Sequence, residues 1–218
     1  MNLRLRALLT VGLFVLCSVT AYAGASFVMG TPPASPASAW GTVTIGFDDL
    51  PNPFNPVPNG YNNLGWNNFY YLDGVNYTGN PSGYQNGVVS PNNVAYNAYG
   101  NAASVFSAPL DPFYVVDFYT TAAWRDQLYV SIVGSLGGTP VISGAGYIDT
   151  NGPTHWFATL PVWIDTLTFT TSGGTNHGYN GDGTHFALDD LTVHTTPEPG
   201  TLVLIGTGLL GLVRKLRK

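Results

Sequence analysis

The chain has one cysteine, Cys17, and it lies inside an apolar run near the N-terminus. If that run is removed as a leader, no disulfide can stiffen the rest in an oxidising compartment. Charge is scarce as well: Asp, Glu, Lys and Arg make up 9% of the residues, and only seven are cations. Arg4 and Arg6 stand at one end, Arg214, Lys215, Arg217 and Lys218 at the other, and Arg125 is alone between them. Against Arg125 stand eleven Asp from Asp48 to Asp190, so the body carries a formal charge of −10. No basic patch can form to neutralise phosphates, which excludes nucleic acid as a partner. The same poverty excludes attraction to an anionic membrane surface. A lysine-free acidic surface suits divalent cations, neutral glycans or a hydrated matrix.

Catalytic motifs are equally thin. Neither G-x-S-x-G nor H-E-x-x-H occurs. The single Glu, Glu198, lies near the C-terminus, so a glycosidase would need two Asp. The sequence pairs Asp48-Asp49 and Asp189-Asp190 hold neighbours, which face opposite sides of a strand and cannot form an acid/base couple. A non-catalytic protein is therefore the first reading, and a secreted glycan hydrolase on a jelly-roll scaffold is the alternative.

What is present begins at the two ends. Residues 1–23 carry Arg4 and Arg6, an apolar stretch from Ala7 to Val19, and Ala21-Tyr22-Ala23. This pattern predicts a signal helix cut by signal peptidase before Gly24. The far end, residues 195–218, holds Pro197-Glu198-Pro199-Gly200, a charge-free run from Thr201 to Val213, and a basic stop of four residues. The prolines keep the chain extended. The basic stop favours a cytoplasmic end. As a helix, Gly200–Leu216 spans roughly 26 Å, a marginal fit to a hydrocarbon core of ~30 Å. It is read as a short transmembrane helix.

This tail resembles the PEP-CTERM sorting signal of exported bacterial proteins. The resemblance implies Pro197, Glu198 and Pro199 as the sorting motif, an exosortase-type processing enzyme as partner, and a transient inner-membrane anchor. It also implies export to the cell surface or extracellular matrix, including biofilm.

Between the ends, 22 glycines and 14 prolines punctuate short β-prone runs. Residues 24–40 read as a Pro/Ala/Ser linker and 41–194 as one domain. The first strand is expected over Gly41–Leu50, with Val43, Ile45 and Phe47 facing inward. The proline-rich stretch Pro51–Gly60 reads as a surface loop, and Asn76–Tyr99 as loops with short strands. Further strands are expected at Ser104–Ser107, Pro112–Thr120, Gln127–Gly134, Pro140–Asp149, His155–Thr159, Ile164–Thr171 and His185–His194. Gly137-Gly138, Asn151-Gly152 and Ser172-Gly173-Gly174 are read as turns, the first of them closing a hairpin. Thr120–Asp126 could form one helical turn. The fold class is all-β, a jelly-roll β-sandwich of about eight or nine antiparallel strands.

Two sequence features mark candidate sites. Inward alternation changes phase at Asp48-Asp49 and again at Asp189-Asp190, as a β-bulge would make it. A carboxylate at the core edge needs a partner, either backbone N–H groups or a metal ion. The stretch Tyr61–Tyr71 interleaves aromatics with Asn62, Asn63, Asn67 and Asn68. Tyr61, Trp66, Tyr70 and Tyr71 there are a candidate glycan surface, since sugar faces stack on rings. The same rings could instead be core. His155 and His194 read as surface or strand-end residues, and Thr175–His185 as a Gly-rich loop without zinc-site spacing.

The body is also loosely similar to carbohydrate-binding-module-like, or galactose-binding-like, jelly rolls. The resemblance rests on Phe47-Asp48-Asp49, Thr121-Ala122-Ala123-Trp124 and Phe186–Leu191. It implies carbohydrate binding and a structural Ca²⁺ held by Asp48, Asp49, Asp189 and Asp190, with an exopolysaccharide as partner.

Overall fold

Apolar side chains recur at every second residue along Leu128, Val130 and Ile132 and along Leu167 and Phe169, and all five are buried. That period of two builds a sheet with one wet and one dry face. The computed structural model describes residues 24–32, 41–51, 53–107 and 111–195. The signal segment 1–23 and the tail 196–218, with Pro197, Glu198 and Pro199, lie outside the described residues.

Two antiparallel sheets pack face to face. The larger holds β1 (Phe27–Met29), β2 (Thr42–Ile45), β3 (Asn55–Pro56), β5 (Phe69–Asp73), β6 (Asn93–Asn97), β8 (Phe113–Ala122), β11 (Thr154–Ala158) and β13 (Phe186–Thr195). Its order is β1-β11-β8-β13-β6-β5-β3, with β2 also on β13. The smaller holds β4 (Gly65–Asn67), β7 (Ala103–Phe106), β9 (Arg125–Leu136), β10 (Thr139–Ile148) and β12 (Thr166–Asn176), in the order β10-β9-β12-β7-β4. The all-β expectation holds at the level of two antiparallel sheets. The strand count is thirteen among the described residues rather than eight or nine. The extra strands run two to five residues, too short to show a period in sequence.

The core fills the gap between sheets. Phe113, Phe118, Phe186 and Trp156 from the larger sheet meet Val105, Ile132 and Phe169 from the smaller. Phe169 sits edge-on to Phe118 at 5.4 Å and to Phe69 at 5.9 Å between ring centroids. The buried Trp156 Nε1–H donates to Thr120 Oγ1 at 2.8 Å, so the indole adds no orphan donor to the core. A second, smaller core forms where residues 74–92 cover the outer side of the larger sheet: Leu72, Tyr84, Val94, Trp124 and Ala187.

Several local expectations change. Phe27–Met29, inside the expected linker, pairs with β11 as an edge strand and buries Phe27. Thr120–Asp126 is not helical: it ends β8 and begins β9. The one α-helical turn, α1 (Gly83–Asn86), lies in the Asn76–Tyr99 stretch, where Ser82 Oγ caps Gln85 N–H. Gly137 and Gly138, with φ of 57° and 77°, close the β9–β10 hairpin as expected. Gly173 and Gly174 do not turn the chain. They continue β12 with positive φ, opposite the equally left-handed Gln127.

Phe169→Ala is expected to cost about 3–5 kcal/mol, because it empties the contact between sheets. Tyr147→Ala, on an open face, is expected to stay within about 0.5 kcal/mol. Urea unfolding of both variants checks the pair, and equal losses would contradict this placement of the core.

Candidate functional site

The bulge expected at Asp189-Asp190 is present. Register between β13 and β8 slips after Asp189, and Asp190 has φ 47°. Ala187 and Asp189 face the outer side by alternation, Asp189 under residues 88–90, and the extra residue Asp190 returns Leu191 to the core beside Leu188. There Asp189 is 1% exposed. Its Oδ2 accepts Val89 N–H at 2.7 Å and Ser90 N–H at 3.1 Å. Its Oδ1 accepts Asp190 N–H at 2.8 Å, and the Ser90 hydroxyl lies 3.2 Å away. The first Asp pair is not in a strand. It follows Phe47, whose φ is 65°, in a turn after β2. Asp48 accepts Asn93 N–H at 2.9 Å and the Ser90 hydroxyl at 3.0 Å.

Ser90 thus bridges a carboxylate from each end of the domain. The approach is close enough to require glycine at 46, where a Cβ would stand 2.5 Å from Ser90 Oγ. Asp49 leaves the group and accepts the Tyr61 hydroxyl at 2.6 Å. The structure therefore brings together Asp48, Asp189 and Asp190 but not Asp49. Of the two partners open to a buried carboxylate, protein donors already occupy Asp48 and Asp189. These donors satisfy the oxygens they reach without an ion. Among the described residues no group of three or more His, Cys, Asp or Glu is arranged to hold a metal.

Burial pushes the Asp189 carboxyl up to about 7, against the pull of the Val89 and Ser90 N–H groups. Asp190 is also raised, by burial first and then by Asp48 and Asp117.

The aromatic stretch disperses. Trp66 and Tyr71 are core, 5% and 3% exposed, which corrects their reading as ligand contacts. Trp66 packs edge-on to Phe47 and Phe69, and its indole N–H donates to the Tyr61 carbonyl at 3.1 Å. Tyr71 donates to the Pro51 carbonyl. Tyr61 is half-buried beside Phe47, and burial, then the Asp49 contact, raises its pKa. Tyr70 alone reaches the outer surface, 6.0 Å from Tyr96. Alternation explains the split, since Phe69 and Tyr71 point inward and Tyr70 outward.

Histidines mark ring contacts rather than a metal centre. His155 stacks on Tyr119 at 4.1 Å and reaches Asp117 at 3.2 Å. His194 stacks on Tyr114 at 4.8 Å. In the Thr175–His185 loop, His177 pairs with Asp126, Asp182 with Arg125, and His185 with the Asn97 carbonyl.

One surface escaped the sequence reading. The outer face of the smaller sheet carries Thr166, Thr168, Thr170 and Ser172 along β12. Across the strands Thr166 aligns with Phe106 and Ser135, and Thr168 with Ser104 and Val133. Thr170 aligns with Ser131, and Ser172 with Tyr129 and then Tyr147. No residue in these rows is charged. The signal was the alternation Thr166-x-Thr168-x-Thr170-x-Ser172, hidden by the adjacent Thr171.

Asp189 binds its proton more tightly folded than unfolded, where its value is near 3.8. Its stabilisation is therefore full below about pH 3.8 and is lost as pH rises to about 7. Over that window stability should fall by up to about 1.4 kcal/mol per pH unit. Asp189→Asn should flatten the slope, as measured by urea unfolding at several pH values.

No curated protein matches the chain. A solved structure, that of a DUF4465 family protein from Bacteroides ovatus, is similar at 11% identity. The match covers 79% of this chain and 100% of that one, with a TM-score of 0.36. Residues 195–218 match the PEP-CTERM protein-sorting motif. That match agrees with the Pro-Glu-Pro, apolar and basic zones of the sequence, and it marks the chain as exported and as a substrate of exosortase-type processing at the membrane.

Proposed function

We propose that the chain is a cell-surface or extracellular-matrix protein whose β-sandwich associates, without catalysis, with uncharged glycan. The observation that carries this reading is the pairing of a body with one cation, Arg125, and a stretch of sheet face, the rows from Thr166 to Ser172, that bears hydroxyls and rings but no charge. An uncharged polyhydroxyl polymer can trade hydrogen bonds with such a surface without desolvating an ion. Binding to anionic polymers is disfavoured by the eleven Asp of the body. The sorting tail supplies the route, holding the protein at the inner membrane until release or re-anchoring.

The hydrolase alternative calls for two carboxylates facing each other across a groove. The groove on the smaller sheet is lined by one carboxylate, that of Asp165. This favours binding without turnover. Calcium enters the proposal only as a competitor for the donors that now hold Asp48 and Asp189. Thermal scans with and without EDTA decide it: a drop restored by Ca²⁺ keeps calcium, and coincident curves remove it.

Deleting residues 197–218 is expected to release the protein from the surface or strand it in the periplasm. Fractionation with an antibody checks this, and unchanged surface retention would contradict the sorting role. Pull-down on exopolysaccharide from the producing cells is expected to retain the protein without shortening the polymer. Release of oligosaccharide would instead support the hydrolase.

A further inference from the structure

The hydroxyl rows of the smaller sheet end in a groove of about 480 Å³ between β7, β12 and the β9–β10 turn. That volume lies within the range of small-molecule sites, ~300–1,000 Å³. Five residues with hydroxyl, amide or carboxylate groups and one ring line it, Asn67, Ser104, Ser107, Asp165, Thr166 and Phe106, and they present apolar as well as polar surface. Phe106 is 37% exposed and lies over Gly65, where a Cβ would come within 2.3 Å of the ring. Gly65 thus lets the ring lie flat along the groove wall. Asp165 is fixed by Gly137 N–H at 2.6 Å and by the Thr166 hydroxyl at 3.0 Å.

Ser107 supplies an independent sign of a ligand. Its Oγ is buried and has no hydrogen-bond partner among the described residues. A buried hydroxyl left unpaired costs stability. Ser107 is part of the groove lining, so a turn of this side chain toward the groove would let a ligand hydroxyl relieve that cost.

Charge narrows the ligand. Asp165, already holding two donors, is the one group in the lining that is charged at neutral pH, and the rows beyond it have none. Along β12 the rows run from Thr166 to Ser172, roughly 20 Å at the rise of an antiparallel strand. They end at Tyr129 and Tyr147, which are 37% and 59% exposed with ring centroids 5.4 Å apart. Rings at both ends and hydroxyls between suit a chain of sugar units better than a single small molecule.

We propose that this groove is a subsite for one sugar ring of an uncharged polysaccharide, with the chain continuing along β12 toward Tyr129 and Tyr147. The inference rests on the glycan reading above and assigns it a place. Sugar hydroxyls take up Asn67, Ser104 and the orphan Ser107, and the ring face lies against Phe106.

The test uses the full chain in detergent, with cellulose, chitin and dextran as uncharged probes and alginate as an anionic one. Retention is expected on at least one uncharged polymer and not on alginate. Asn67→Ala and Phe106→Ala are expected to weaken binding tenfold or more, while Phe106→Tyr retains it. Ser107→Ala should weaken it roughly two- to tenfold while leaving thermal stability unchanged or raised, which separates a ligand role from a structural one. Tyr114→Ala, on the opposite sheet, should bind as the parent does. If the parent binds but the groove variants bind equally well, the assignment to this groove falls and the glycan reading stands. If the parent binds none of the uncharged polymers, both fall.

Discussion

The corner where the two ends of the domain meet depends on how one buried carboxylate is satisfied. Asp189 sits on the last strand at a bulge, faces away from the inter-sheet core, and is covered by residues 88–90. Without the Val89 and Ser90 N–H groups its Oδ2 would have no donor in a dry place, a costly defect for a small domain. Ser90 then passes the contact on to Asp48, and Asn93 binds Asp48 and the Phe47 carbonyl. One short segment thereby ties the start of the domain to its end. The pairing of β2 with β13, from Thr42 to Ile45, closes the same circuit through backbone hydrogen bonds.

The same corner shows which part of the fold was legible. Phase breaks at both Asp pairs were visible as interruptions of an alternating pattern, and β13 has its bulge where the pattern breaks. The partner was not legible, because Ser90 lies about forty residues from Asp48 and a hundred from Asp189 in a stretch that reads as plain loop. The long strands β8, β9, β10, β12 and β13 could be read because each repeats its alternation several times. Edge strands such as Phe27–Met29 and Asn55–Pro56 carry too few residues for any period, and tertiary pairing alone creates them. Ser172-Gly173-Gly174 misleads for a related reason. Glycine permits a turn but does not impose one, and the facing Gln127 also takes a left-handed conformation, so the ladder continues.

The aromatic stretch makes the same point about function. Rings and asparagines crowded between Tyr61 and Tyr71 look like a recognition surface when read as a list. Alternation sends Phe69 and Tyr71 into the core and leaves Tyr70 outside, while Trp66 closes the end of the sandwich against Phe47. Asn68 spends its amide on the Ala98 and Ala102 carbonyls. Only Asn67, the outward residue of β4, reaches a groove. Composition told what kind of partner the protein could tolerate, and strand phase decided which side chains were left to meet it.

Charge poverty links the tail to the sheet face. An exported protein with a C-terminal sorting signal gains nothing from basic patches, which would stick to lipid headgroups and nucleic acid on the way. With no lysine in the body, the recognition proposed above would rest on hydroxyls, amides and rings, which work best in arrays because each contact is weak. A flat antiparallel face supplies such an array at no cost in design, since alternation places every second residue of β12 and β9 outward at fixed spacing. The dry face of the same strands is the core, so the stability of the sandwich and the regularity of its outer surface come from a single period.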